Sequence, residues 1–121
     1  MIDDPSILQQ LMTVIENRKR NRPSKSYTTK LLDGGVDAIG AKVLEEAAEL
    51  VEASREVEAA KLVDNRLHKA LTYEAADLIY HLLVMLAHGG ITWAEVETEL
   101  ARRFGISGLD EKASRKRSSR K

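Results

Sequence analysis

The run Glu74-Ala75-Ala76-Asp77-Leu78-Ile79-Tyr80-His81-Leu82-Leu83-Val84-Met85-Leu86-Ala87 decides how this chain is read. From Ala75 to Ala87 it is apolar nearly all the way round, the mark of a helix buried on most sides. Yet Glu74, Asp77 and His81 fall on one edge of it, three and four residues apart, where helical neighbours meet. A buried carboxylate without a partner is costly and tends to take up a proton. Few basic residues stand at nearby helical positions to pair with these two, so a divalent cation is the simplest counter-charge.

The preceding helix is expected from about Asp37 to about Ala59. It carries Glu45, Glu46, Glu49, Glu52 and Glu56 on one stripe with Lys42 in its middle, and Val43, Leu44, Ala47, Leu50 and Val51 opposite. Alone, this is an ordinary amphipathic helix with a solvated acidic face. Facing the 74–88 helix it reads differently. Glu46 and Glu49 are three apart, as are Glu74 and Asp77, so two such helices offer four carboxylates to one volume. An all-carboxylate site suits Mg²⁺, with Mn²⁺ as a substitute, rather than Zn²⁺, and such hard cations commonly hold substrate phosphates.

Other elements follow from local signals. Asp4-Pro5 is expected to open a first helix, with Ile7, Leu8, Leu11, Met12 and Ile15 at helical spacing. Asn21 to Tyr27 reads as a loop, and Thr28 to Leu32 as a short helix stopped by Gly34-Gly35. The 66–88 helix should end at Gly89-Gly90. Thr92 with Glu95 three residues on is a capping-box pattern that starts a last helix ending near Gly105. The expected fold is therefore all-α, a bundle of about five helices forming one domain over 1–108. A basic, mobile tail is expected over 109–121.

The 121 residues allow one modest core, and 43% hydrophobic content can fill it. There is no cysteine, which excludes a disulfide framework and a thiolate metal site and fits a reducing cytoplasm. No basic stretch leads into an apolar run at the start, and the 75–87 run is short for a bilayer, so a soluble, cytoplasmic protein with no membrane partner is expected. The formal net charge of zero hides an uneven layout. Residues 112–121 hold six basic groups and no acid; removing those from the 19 basic groups leaves 13 against 19 acids, a net of −6. A second basic cluster, Arg18, Lys19, Arg20, Arg22, Lys25 and Lys30, has no acid within it.

Glu45-Glu46-Ala-Ala-Glu49 followed by Glu74-Ala-Ala-Asp77 resembles the signature of the all-alpha NTP pyrophosphatase superfamily, the MazG-like group. Ser26-Tyr-Thr-Thr-Lys-Leu-Leu32, Gly40-Ala-Lys-Val-Leu-Glu-Glu-Ala-Ala-Glu49, Tyr73 to Val84 and the ending Leu100-Ala-Arg-Arg-Phe-Gly-Ile-Ser-Gly108 narrow it to the phosphoribosyl-ATP pyrophosphohydrolase family, over about residues 7–115. The resemblance implies hydrolysis of phosphoribosyl-ATP to phosphoribosyl-AMP and pyrophosphate in histidine biosynthesis, Mg²⁺ dependence, a helical fold and a homodimer. Carried over by position, Glu46, Glu49, Glu74 and Asp77 match the metal ligands, and Glu45 the first Glu of the motif. Two features depart from the pattern: the segment between Glu49 and Glu74 is longer, and Leu44 stands where glycine is usual.

In the mechanism so implied, Glu45 orients water or acts as general base, or else is a plain surface acid. Lys42 is the nearest candidate for phosphate, its alternative being an ion pair with Glu46. Arg18, Arg22, Lys25, Ser26, Tyr27, Thr28, Thr29 and Lys30 are candidates for phosphate or ribose, with Tyr27 equally able to pack. His81 is expected to support a ligand carboxylate through a hydrogen bond rather than to be a ligand itself. Tyr80 and Met85 read as core or dimer interface, and Trp93, near a helix start, as packing. Two rivals stand beside this. A house-cleaning (d)NTP pyrophosphatase would share the four acids. A non-enzymatic helical module would use the basic tail to bind nucleic acid, although such tails are more often plain solubility segments.

Overall fold

A computed structural model describes residues 5–105. It contains four helices and, among the described residues, no strand: α1 (Ile7–Asn21), α2 (Tyr27–Ala59), α3 (Asn65–His88) and α4 (Trp93–Phe104). Helices α2 and α3 form a long antiparallel hairpin, α1 lies across it, and α4 meets α1. The expected tail at 109–121, and the Ile106-Ser107-Gly108 part of the ending, lie outside the described residues.

Local chemistry explains the boundaries. Ser6, not Asp4-Pro5, caps α1: its hydroxyl accepts from the Gln9 N–H while the Gln9 side chain accepts from the Ser6 N–H. This reciprocal box satisfies two end groups at once, and a Pro5 N1 position would forgo it. Ser26 caps α2 and Asp64 caps α3, each through its side-chain oxygen. Thr92 and Glu95 form the expected box at α4, and Gly105 closes that helix in the left-handed region at φ 65°.

The separate short helix expected over 28–32 is the first part of α2. The expected stop at Gly34-Gly35 is present as a kink between two helical parts: Gly35 takes φ 72° and ψ −163°, a non-helical conformation essentially reserved for glycine. A Cβ on Gly34 would lie 2.5 Å from the Ala38 Cβ, so the glycine pair also permits a close approach. Counted on either side of this kink, the described residues hold the five helical pieces expected.

The core is Met12 and Ile15 of α1, Leu31, Leu32 and Ile39 of α2, and Leu83, Val84 and Ala87 of α3. Trp93 and Tyr80 pack against it from the side. Burying each large side chain contributes about 1.5–3 kcal/mol. Lys19 adds a tie from α1, donating to the Ala87 carbonyl at 2.8 Å and the His88 carbonyl at 3.4 Å, where the α3 dipole is negative.

Helix α3 is less covered than its composition suggests. Its 24 residues are long and apolar enough, by length and composition, to cross a membrane, yet only 22% of its most apolar window is buried in the chain. Ala76, Ile79 and Leu82 form an exposed stripe at helical spacing. Leu44, Ala48 and Val51 form another on α2. Leu44 is 73% exposed, so a leucine here meets no obstacle within the chain. The segment between Glu49 and Glu74 comprises α2 running on to Ala59, the turn 60–64 with Leu62 and Val63 in solvent, and the start of α3.

Candidate active site

Glu46 on α2 faces Glu74 and Asp77 on α3. One carboxylate oxygen from each lies within 4.8 Å of the others, a group able to hold a metal ion. Glu46 is 4% exposed, and Glu74 and Asp77 are half-buried. Oε1 of Glu46 and Oε1 of Glu74 are buried with no hydrogen-bond partner. Burial, then the charges of Asp77 and Glu49, pushes the Glu46 carboxyl up to about 7. Burial, then Glu49, also raises Glu74. Three carboxyl groups thus share one small volume, two of their oxygens are orphaned, and the protein adds little to offset their charge when ionised. A hard divalent cation fits this donor set: it would satisfy the orphaned oxygens and remove the repulsion.

Glu49, the fourth expected acid, is exposed and lies at the rim. It acts on both Glu46 and Glu74 without joining the close group of three. Glu45 is exposed and accepts from Lys42, whose Nζ lies 3.3 Å from Glu45 Oε1 and 3.8 Å from Glu46 Oε2. The hydrogen bond to Glu45 raises the Lys42 pKa and holds it charged.

His81 is 3% exposed, and its ring bridges two helices. Nδ1 lies 2.8 Å from the main-chain carbonyl oxygen of Asp77, not from its carboxylate as expected. The reason is register: residue 81 is one helical turn after 77, so its ring reaches back to that carbonyl while the Asp77 side chain turns toward α2. Nε2 lies 2.9 Å from the Tyr27 hydroxyl.

The segment 26–30 is used mainly to fasten α2 to α3. Ser26 caps the helix, Tyr27 reaches His81, and the buried Thr28 hydroxyl bonds the Tyr80 hydroxyl. Tyr27 also stacks on Tyr80, with centroids 6.3 Å apart at 25°. Tyr27 remains half exposed and feels the charges of Lys42, Glu46 and Asp77, while burial raises its pKa. Tyr80 is the member of this group that the sequence alone places in the core or a dimer interface rather than at the site. Its signal was a hydroxyl in an apolar run, three residues after Asp77. Thr29 is buried with its hydroxyl unpaired. Arg22 is ion-paired to Asp33 at 2.7 Å, and Lys25 and Lys30 are exposed. None of Arg18, Arg22, Lys25 or Lys30 is among the leading charges acting on Glu46 or Glu74.

Comparison with known proteins agrees along most of the chain. The family model for phosphoribosyl-ATP pyrophosphohydrolase matches residues 8–104. A phosphoribosyl-ATP pyrophosphatase of Rhodopirellula baltica is 54% identical over 108 residues, covering 89% of this chain and 85% of that protein. The enzyme of the same name from Cupriavidus metallidurans is 46% identical over 118 residues, covering 95% and 96%. That of Nitrosospira multiformis is 44% identical over 115 residues, covering 95% and 88%. With all the acids of the site inside the matched span, this chain belongs to the phosphoribosyl-ATP pyrophosphohydrolase family.

Proposed function

We infer that the chain hydrolyses phosphoribosyl-ATP to phosphoribosyl-AMP and pyrophosphate, the second step of histidine biosynthesis. The observation that carries the chemistry is the convergence of Glu46, Glu74 and Asp77 within 4.8 Å, with two orphaned oxygens, in a member of this family. We propose Glu46, Glu74 and Asp77 as ligands of Mg²⁺ or Mn²⁺, with Glu49 joining from the rim. A cation held by these residues would supply charge neutralisation at phosphoryl oxygens and a lowered pKa for bound water.

The protein's own groups supply the rest of the proposal. Water attacks the phosphorus next to the ribose, and the bond to the departing pyrophosphate breaks. We propose that Glu45, exposed and paired with Lys42, orients that water and accepts its proton. Lys42 offers its ammonium to the phosphates. Tyr27 and His81 hold the turn of α3 that bears Asp77. Arg18, Lys25 and Lys30 remain candidates for the outer phosphates.

We further propose a homodimer. The exposed apolar stripes on α2 and α3, and the low coverage of α3, support a second copy packing on this hairpin. A cytoplasmic location goes with a small-nucleotide substrate and needs no membrane or nucleic-acid partner. The test is pyrophosphate release from phosphoribosyl-ATP against a panel of dNTPs, with and without Mg²⁺. A preference for a dNTP would overturn the substrate in favour of a house-cleaning pyrophosphatase.

A further inference from the structure

We propose that Lys42 is the counter-ion of the acidic cluster in the cation-free protein, and that it changes partner, from Glu46 to a phosphate of the nucleotide, when a divalent cation enters. This rests on the metal-site reading above and goes beyond it by fixing how cation and nucleotide affect each other's binding.

Lys42 Nζ is within hydrogen-bond reach of Glu45 Oε1 at 3.3 Å, whereas its 3.8 Å to Glu46 Oε2 is an ion pair only. The lysine is therefore anchored on the exposed acid and leans on the buried one. Among the described residues it is the one basic side chain paired with a carboxylate of the cluster. It does not complete the cluster, because Glu46 Oε1 and Glu74 Oε1 stay without partners. A divalent cation held by Glu46, Glu74 and Asp77 would share the Glu46 carboxylate with the ammonium. Like-charge repulsion then weakens the hold of Glu46 on Lys42.

The Lys42 side chain is 32% exposed and carries a flexible stem, so it can leave Glu46 without disturbing the helix. Glu45 keeps it near the cluster, where a triphosphate would meet it. Lys42 thus opposes the cation while phosphate is absent and ceases to do so once phosphate takes it over. By linkage, the cation tightens binding of the phosphate group, and the phosphate group tightens binding of the cation.

The test is calorimetric titration of the full chain with Mn²⁺, without nucleotide, and with pyrophosphate as the anionic probe. Lys42→Met should bind Mn²⁺ about three- to tenfold more tightly than the wild type, and bind pyrophosphate in the presence of Mn²⁺ about tenfold more weakly. Lys42→Arg, which keeps the charge, should return both values toward wild type. If Glu46→Gln weakens Mn²⁺ binding while Lys42→Met leaves it unchanged or weaker, the counter-ion proposal fails and the metal site stands. If the wild type binds no Mn²⁺, both fall.

Discussion

The Tyr27 hydroxyl lies 2.9 Å from Nε2 of the buried His81, whose Nδ1 meets the Asp77 carbonyl. A carbonyl oxygen can only accept, so Nδ1 carries the proton. In the neutral ring Nε2 then accepts, and the Tyr27 hydroxyl donates. With its hydroxyl turned to His81, we propose Tyr27 as a positioning residue for the turn that bears Asp77. Tyr27→Phe should leave a buried nitrogen without a donor and cost about 1–3 kcal/mol in denaturant unfolding. It should also lower kcat more than it changes KM. The double variant with His81→Ala should cost less than the sum of the two singles, and strict additivity would refute the pairing.

Substitution in the acid cluster should separate stability from activity. Glu46→Gln and Asp77→Asn remove charge repulsion between α2 and α3, so both should raise the melting temperature of cation-free protein. The same changes should lower kcat/KM roughly 10²- to 10³-fold, the scale of several kcal/mol of lost charge stabilisation. Glu49→Gln, at the exposed rim, should do less in both assays. A Glu46→Gln protein with near-normal turnover would remove the cluster from the reaction.

Much of this arrangement was legible in the sequence because it is local. Spacings of three put Glu46 and Glu49 on one face and Glu74 and Asp77 on another, and capping residues marked Thr92 and Gly105. What was not legible depended on choices between local options or on contacts across the fold. Asp4-Pro5 was the expected start of α1, but the reciprocal box of Ser6 and Gln9 caps it instead. Gly34-Gly35 did interrupt the helix as expected, but the direction of the kink, which brings Leu31, Leu32 and Ile39 into one core, is a property of the whole fold. The partners of His81 and Thr28 lie 54 and 52 residues away in sequence, beyond any periodicity.

The cation-free protein should lose stability as pH rises. Glu46 titrates at about 7 when folded against an ordinary 4.5, so the folded state binds the extra proton between these values. The stabilisation is full below about 4.5 and is lost as pH rises through about 7. In EDTA, the melting temperature should fall from pH 5 to pH 8 by more in the wild type than in Glu46→Gln. Saturating Mg²⁺ should flatten or reverse the trend, because the cation binds the ionised carboxylate. Identical pH profiles for the two proteins in EDTA would contradict the burial argument.

Gly35→Ala tests the kink that carries Tyr27 toward α3. A Cβ at Gly35 meets nothing within 4 Å, so any cost comes from the backbone, where φ 72° with ψ −163° is strained for alanine. The expected loss is about 1–3 kcal/mol in denaturant unfolding. Activity should drop further than stability alone explains, because the 27–33 part of α2 would swing relative to Glu46. Neutral behaviour in both assays would mean that the kink is dispensable.

The proposed dimer makes a directional claim about Ile79. This residue lies on the exposed stripe of α3 with Ala76 and Leu82 and is 36% exposed, whereas Leu83 and Val84 are fully buried in the core. Ile79→Asp should therefore leave the fold of one chain intact while placing a charge in the middle of the contact, where an unpaired buried carboxylate is strongly disfavoured. Sedimentation at micromolar concentration should give a dimer for the wild type and a monomer for the variant, with helical circular dichroism unchanged per residue. Leu83→Ala is the contrast: it should lower stability by about 2–5 kcal/mol by leaving a core cavity, without preferentially dissociating the dimer. A wild type that sediments as a monomer, with α3 still uncovered, would leave the stripe without the second copy proposed for it.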